Sequence, residues 1–336
     1  MKLKPGKIPD DELSKILGKY TNANDESVIL GPKIGEDAAI VRMASEYLAI
    51  CTDPILVGIK NPAYYAVAIN INDLVTRGAI PRWASACVFF PVGSTLQDVD
   101  EFFQQLYKAV KQYEVNVVTG HTEITSAVKN PGVVITMFGE ICNGRYITTG
   151  GAQEGDSLIL TGGAGIEGTS IIANDLYDSI KGKVDDETVK RAKNFIFEPG
   201  ICIAEAARIA WKYHPNALHD PTEGGIRKGI DEMAVASDKG ILVDYDKIPI
   251  REETRRVCDA TGHDPLAIFG SGSLLISISP GSAKLLMEQY KENNIVAGEI
   301  GKVVAKEQGR MLLCNGKKIP LEASHTDGLM EALNRQ

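Results

Sequence analysis

Ala68-Ile69-Asn70-Ile71-Asn72-Asp73-Leu74-Val75, running on into Thr76-Arg77-Gly78-Ala79-Ile80-Pro81, is the stretch on which the reading turns. Its density of apolar residues places it in the interior, where an unpartnered carboxylate such as Asp73 would be expensive. The spacing predicts a helix from Pro62 to Gly78, with Pro near its start and an apolar face of Ala66, Val67, Ile69 and Leu74. Upstream, Ile40-Val41 and Tyr47–Cys51 read as strands around a charged turn. Downstream, Trp83–Phe90 reads as a strand opened by Pro81 and closed by Pro91. Thr95 to Tyr113 reads as the next helix. Asp98 and Glu101 near its start and Lys108 and Lys111 near its end complement the helix dipole. Asn116–Thr119 and Gly132–Ile141 are two further strands. Strands outnumber helices and helices follow strand pairs, so the class is α+β and not a doubly wound sheet.

The turn-rich run Thr148-Thr149-Gly150-Gly151-Ala152-Gln153-Glu154-Gly155-Asp156 predicts a boundary, with domains at 1–150 and 151–336. The second half opens with a strand at Ser157–Thr161, a glycine loop and a helix from about Glu167. Further helices are predicted near Glu198–Trp211, Gly224–Ser237, Glu252–Thr261 and Ser282–Asn293. Strands are predicted near Ile241–Tyr245, Gly272–Ile278 and Glu299–Val304, and Asp185-Asp186 falls in a charged stretch read as loop.

A chain of 336 residues carries a soft prior of two domains. Thirty-six Lys+Arg against 44 Asp+Glu give a net charge of −8, which argues against nucleic acid as the main partner. A small phosphorylated ligand stays open, because bound magnesium screens acids. No segment has the ~18 uninterrupted apolar residues of a membrane span. The start, Met1-Lys2-Leu3-Lys4-Pro5-Gly6, lacks the apolar stretch of a signal peptide. Six single cysteines (Cys51, Cys87, Cys142, Cys202, Cys258 and Cys314) form no CxxC pair and read as buried thiols. The expectation is a soluble, cytoplasmic protein. The glycine count, 33, exceeds the ~7% average and raises the question of backbone reserved for phosphate.

Acids recur beside glycines and at strand ends: Gly35-Glu36-Asp37, Thr52-Asp53-Pro54, Asn72-Asp73 and Gly120-His121-Thr122-Glu123. Converging from separate elements, such carboxylates suit magnesium, which prefers oxygen ligands. Taken one at a time, each is more at home as a solvated turn acid or a helix surface charge. Thr161-Gly162-Gly163-Ala164-Gly165-Ile166-Glu167-Gly168 joins a strand to a helix and carries a G-x-G-x-x-G spacing without a Walker lysine. It reads either as an anion-binding loop or as a tight structural turn. His219-Asp220-Pro221-Thr222-Glu223-Gly224-Gly225 precedes a helix, with Thr222 a candidate N-cap, and Phe269-Gly270-Ser271-Gly272-Ser273 is a loop of the same kind. No nucleophile elbow and no HExxH motif occur. The surplus of acids over bases favours phosphoryl transfer, where positioning and charge neutralisation do most of the work.

In combination these segments are far more specific than singly. The order Gly35-Glu-Asp-Ala-Ala, Thr52-Asp53, Asn72-Asp73-Leu, Thr119-Gly-His-Thr-Glu123, Ile147-Thr-Thr-Gly-Gly, Gly155-Asp156, Thr161-Gly-Gly-Ala-Gly and His219-Asp-Pro-Thr-Glu-Gly-Gly225 resembles the aminoimidazole-ribonucleotide-synthetase-like superfamily. That group includes the purine-pathway synthetase, selenophosphate synthetase, thiamine-monophosphate kinase and the hydrogenase-maturation branch, HypE, whose motif order is the most similar. The resemblance spans about Lys7 to Ser279 and takes in Asp264-Pro265-Leu266.

What the resemblance implies is two α+β domains: an N-terminal domain that binds ATP and pairs its sheet with a partner copy into a dimeric β-barrel, and a C-terminal α/β sandwich. Asp37, Asp53 and Asp73 match magnesium or nucleotide contacts, with Glu36 and Glu123 as further metal ligands. Asn72, Gly120, Thr122, Gly162, Gly163 and Gly165 match the nucleotide site, and Asp73, Asp220 and His121 are the expected catalytic set. Three positions depart from the pattern. The chain ends Asn334-Arg335-Gln336 instead of in the hydrogenase branch's carbamoyl-accepting cysteine, and Cys314 lies 22 residues earlier. Met1–Leu13 has no reactive cysteine of the selenophosphate kind, and His121 stands where an aspartate is common. The expectation is ATP- and Mg²⁺-dependent activation of an oxygen atom on a small substrate. The alternative is a non-catalytic nucleotide-binding accessory protein in a metalloenzyme-maturation complex.

Overall fold

The structure, a computed structural model, describes residues 26–31, 33, 35–44, 46–56, 59–141, 144–323 and 327–333. The expectations attached to Met1–Leu13, Cys142 and Asn334–Gln336 lie outside the described residues. The described chain divides into two units, one of residues 26–31 and 37–146, the other of residues 33, 35–36 and 147–333.

The first unit runs β1 (Val28–Leu30), β2 (Ala39–Met43), β3 (Glu46–Ile55), α1 (Pro62–Thr76), β4 (Ile80–Pro91), α2 (Leu96–Gln112), β5 (Asn116–Thr125) and β6 (Gly132–Ile141). Its six strands form one mixed sheet in the order β1-β2-β3-β6-β4-β5. All pairings are antiparallel except β4 with β5. A parallel neighbour needs a crossover, and α2 supplies it. Thr95 starts α2 with a capping box: its hydroxyl accepts from the Asp98 amide at 3.3 Å, and Asp98 Oδ2 accepts from the Thr95 amide at 2.7 Å. The Thr95 amide, joined by the Thr95 hydroxyl at 2.8 Å, holds the Asp98 carboxyl below the usual aspartate range. Phe102, Leu106, Ala109 and Val110 recur at helical spacing as the buried stripe of α2.

Helix α1 is buried on nearly every side, so the run that opens the sequence reading is interior as its composition requires. Asn70, Asn72, Asp73 and Arg77 are buried with it. Two boundaries differ from the sequence reading. Strand β4 contains Pro81 and Pro91 instead of stopping between them. Pro81 sits at an irregularity of the β4–β6 ladder and Pro91 at the strand's last residue, positions where a missing amide is tolerated. Strand β3 continues through Asp53 to Ile55, so that acid lies within the strand and not at its end.

The second unit contains β7 (Ser157–Thr161), α3 (Ile166–Asp175), α4 (Asp186–Lys193), α5 (Ala204–Trp211), β8 (Ala217–His219), α6 (Gly225–Ser237), β9 (Gly240–Asp244), α7 (Glu252–Thr261), β10 (Leu275–Ile278), α8 (Pro280–Glu292), β11 (Ala297–Val304), β12 (Arg310–Cys314), β13 (Lys317–Pro320) and α9 (Gly328–Leu333). Its sheet order is β13-β12-β9-β11-β7-β10-β8. Strand β7 is buried throughout, and its Leu158 and Leu160 join Ile226, Ile230 and Met233 of α6 in one core cluster. The stretch read as a charged loop is helix α4, with Asp185 capping it through the Thr188 amide at 2.9 Å. The predicted helix from Glu198 begins at Ala204, because Glu198 is extended, at φ −144° and ψ 105°, and breaks the helical path before Pro199.

The Gly155-Asp156 pair has a structural reason. Asp156 is buried, and its carboxylate accepts from the Gln153 amide at 3.0 Å, Asn216 Nδ2 at 3.0 Å and Ser277 Oγ at 2.6 Å. One acid thus ties the entry to β7 to the segment before β8 and to β10. Asp156→Ala strands those donors and should lower the unfolding free energy by about 3 kcal/mol in urea titration, with the slope unchanged. A loss under about 1 kcal/mol would remove this hub.

Candidate functional site

In the first unit the predicted acids spread over several elements. Asp73 is 2% exposed on α1, one turn before the fully buried Arg77. Thr76 Oγ donates to the Asp73 carbonyl at 2.7 Å, and the Arg77 guanidinium donates to Thr76 Oγ at 3.2–3.3 Å. Asp53 shares its β3 face with Cys51, whose thiol donates to Asn70 Oδ1 of α1 at 3.4 Å. Asp53 therefore lies on the face of β3 that meets α1. Asp37 is exposed where the chain enters β2, and Asn72 is fully buried.

Gly120, His121, Thr122 and Glu123 are not at a strand end, as the sequence reading had them, but inside the edge strand β5. A Cβ on Gly120 would lie 2.2 Å from the Ala86 carbonyl, so glycine is required there by close approach of β4. His121 Nε2 pairs with Glu123 Oε2 at 3.0 Å, and both side chains are exposed. Strands β6 and β4 separate β5 from β3, a lateral distance of roughly 14 Å at the usual strand spacing. His121 and Glu123 consequently cannot share one ion with Asp53 of the same unit.

In the second unit three loops meet near the same end of the sheet. Gly270 N–H donates to the Thr222 carbonyl at 2.9 Å, Gly168 N–H to the Phe269 carbonyl at 3.0 Å, and Ser273 Oγ to the Gly163 carbonyl at 2.6 Å. Asp264 adds a fourth tie, accepting from Arg227 Nε at 2.7 Å and the Leu266 amide at 2.9 Å. Thr222 is not the N-cap of α6. Gly224 caps it in the left-handed conformation, and the Thr222 carbonyl closes the turn instead.

Beside this knot His219 and Asp220 are each 1% exposed. His219 Nε2 pairs with Glu232 Oε2 at 2.9 Å, and Lys228 Nζ lies 3.8 Å from Glu232 Oε1. Lys228 and Glu232 are site-supporting residues that the sequence reading missed, and their i,i+4 spacing on one helix is the signal that points to them.

Glu36, expected as a metal ligand, has both oxygens engaged by backbone: Oε1 accepts from the Gly150 amide and Oε2 from the Thr149 amide, each at 3.1 Å. It acts as a clasp on the Ile147-Thr-Thr-Gly-Gly segment. The glycine loop leans toward the structural reading as well. The amides of Gly162, Gly163 and Ala164 donate to the carbonyls of Val296, Thr161 and Pro249 at 2.8 Å, and a Cβ on Gly162 would meet the Gly272 carbonyl at 2.1 Å. Gly165 caps α3 in the left-handed conformation.

Two buried acids carry raised pKa values. Burial pushes Glu167 up to about 7, against Ser271 beside it, which favours the charged form. Burial also pushes Asp327 up to about 7, although its oxygens accept from the Leu329 amide at 2.9 Å and the Gly224 amide at 3.1 Å. Each carboxyl binds a proton more tightly folded than unfolded. Stability from this source is therefore present below about pH 4 and is lost as pH rises toward 7. Chemical denaturation followed from pH 4.5 to 7.5 should show stability falling with pH in this window, with Glu167→Gln reducing the slope. A slope that Glu167→Gln leaves unchanged would contradict the assignment.

Comparisons with known proteins agree with this architecture. Residues 35–141 match the family model for the AIR synthase related protein N-terminal domain, and residues 153–313 match that for the C-terminal domain. A hydrogenase expression/formation protein of Methanocaldococcus jannaschii is 27% identical over 297 residues, covering 86% of this chain and 84% of that one. Among solved structures, that of a HypE–HypF complex superposes with a TM-score of 0.75 at 18% identity, covering 93% of this chain and 99% of that one. The structure of HypE in complex with ATP gives 0.68 at 22% identity, covering 94% and 91%. Among the described residues no helix is long and apolar enough to cross a membrane. The two matched domains, in this order and over most of the chain, make the protein a member of the AIR synthase related family.

Proposed function

We propose that the protein binds ATP with Mg²⁺ and transfers a phosphoryl group to an oxygen atom of a small amide or acid. The observation that carries this reading is the pair of buried aspartates, Asp73 in the first unit and Asp220 in the second, on segments whose order the family shares. An ATP complex of a structural relative supports the choice of nucleotide. Asp37, Asp53 and Asp73 do not gather their carboxylates around a single point, so they would contact Mg²⁺ with nucleotide phosphates completing its shell, and carboxylate oxygens suit a hard cation. The ion, when bound, would neutralise phosphate oxygens. Asn72, Gly120 and Thr122 would contact the nucleotide, and Asp220 would be the catalytic acid of the second unit. The hydrogen bonds already made by Gly162 and Gly163 leave those two amides out of this assignment.

The distance between β5 and β3 gives His121 and Glu123 a role only if a second copy presents its β5 edge. That edge is exposed along nine of its ten residues, and Val118 (60% exposed) and Ile124 (51%) leave apolar surface on it. A homodimer formed there, with its sheets closing into a barrel, would cover them and complete each site with the partner's edge strand. A second reading is an accessory protein that binds nucleotide and acts only when docked to another maturation factor. It draws on the HypE–HypF complex formed by a structural relative. ATP turnover by the protein alone, against turnover only with a partner, separates the two.

Isothermal calorimetry should show ATP binding that requires Mg²⁺, and Asp73→Asn should weaken it by at least about tenfold, or 1.4 kcal/mol. Binding that survives chelation of magnesium, or that Asp73→Asn leaves unchanged, would overturn the reading.

A further inference from the structure

We propose that the cavity beside the Gly162 turn of the second unit is a binding site for a small monoanionic aliphatic carboxylate, with Arg251 as its cation. The cavity has a volume of about 210 Å³, and Arg251, Gly162, Glu205, Ile203, Ile295 and Val296 are on its wall. It lies within the second unit, and the proposal does not depend on the nucleotide reading.

Arg251 is the feature that calls for a ligand. It is partly buried at the N-cap of α7, and its Nε is shut off from solvent without a hydrogen-bond acceptor. Its guanidinium makes no ion pair among the described residues. The carboxylate whose field reaches it, Glu253, is already held by Arg191 at 2.7 Å. Desolvation makes the charged form of Arg251 less favourable, yet an arginine stays protonated at any ordinary pH. The unfolded chain hydrates this group fully, so the fold holds a desolvated positive charge that, among the described side chains, only the field of Glu253 offsets.

The wall narrows the class of anion. A guanidinium presents a planar fork that matches a carboxylate with two parallel hydrogen bonds. A phosphate dianion would need more than one cation, and Glu205 on the same wall would repel its second charge. Ile203, Ile295 and Val296 offer apolar surface to a short hydrocarbon chain. At about 210 Å³ the cavity falls below the roughly 300–1,000 Å³ of sites for drug-sized ligands, which limits the guest to a few carbons.

The test uses the full chain without nucleotide, titrated with butyrate, inorganic phosphate or chloride at matched ionic strength, and read by thermal unfolding and by ligand-observed NMR. Butyrate should raise the melting temperature along a saturating curve and show transfer from the protein, whereas phosphate and chloride should not. Arg251→Gln should weaken butyrate binding by at least about tenfold. Arg251→Lys, which keeps the charge and loses the fork, and Ile295→Trp, which fills the cavity and leaves Arg251 in place, should weaken it as well. A butyrate response that matches chloride would overturn the proposal, as would one that persists in both Arg251→Lys and Ile295→Trp. Equal saturation by phosphate would overturn the assigned class.

Discussion

Keeping carboxylates out of water is the constraint on which the rest of this structure depends. An isolated buried carboxylate is costly enough that it is normally neutralised or surrounded by partners. This chain buries Asp73, Asp156, Glu167, Asp220 and Asp327, and much of its polar interior lies around them. Asp156 is met by three donors and becomes a tie between elements. Glu167 and Asp327 are displaced toward protonation instead. Asp73 and Asp220 sit on the segments for which a ligand is proposed.

The glycine excess has a different meaning from the one it first suggests. Gly120, Gly151, Gly162 and Gly229 each stand where a Cβ would press into another segment: the carbonyls of Ala86, Asn216 and Gly272, and the ring of Pro221. Much of the glycine is spent on backbone lying against backbone, and on loops stitched together near one end of the second sheet. Of the amides that would cradle a phosphate, that of Gly162 is consumed by this stitching, on the Val296 carbonyl, and that of Gly163 turns back on Thr161. Glycine here builds the frame that carries the acids.

The fold was legible wherever one local signal dominated. The apolar run around Asp73 marked α1, and Thr95 with Asp98 marked the start of α2, because composition and capping act within a few residues. Strand ends were harder. Local turn residues put Asp53 and the Gly120–Glu123 segment at strand termini, but cross-strand pairing with β6 and β4 carries both strands further. Helix α4 was missed because its charges read as solvent-facing loop, although Asp185 caps it and Val189 and Ala192 bury one face. For the site, the order of motifs identified the acids but not their surroundings. The partnership of His219 with Glu232, 13 residues away, and the clasp of Glu36 on Thr149 and Gly150 arise only when distant segments meet.

A magnesium–nucleotide site is proposed for the first unit's aspartates. The most direct measurement is a crystal structure of the protein with a non-hydrolysable ATP analogue and Mg²⁺. The account predicts carboxylate oxygens of Asp37, Asp53 or Asp73 at about 2.0–2.1 Å from the metal, which in turn bridges phosphate oxygens. A nucleotide bound elsewhere, with these aspartates away from any ion, would contradict it.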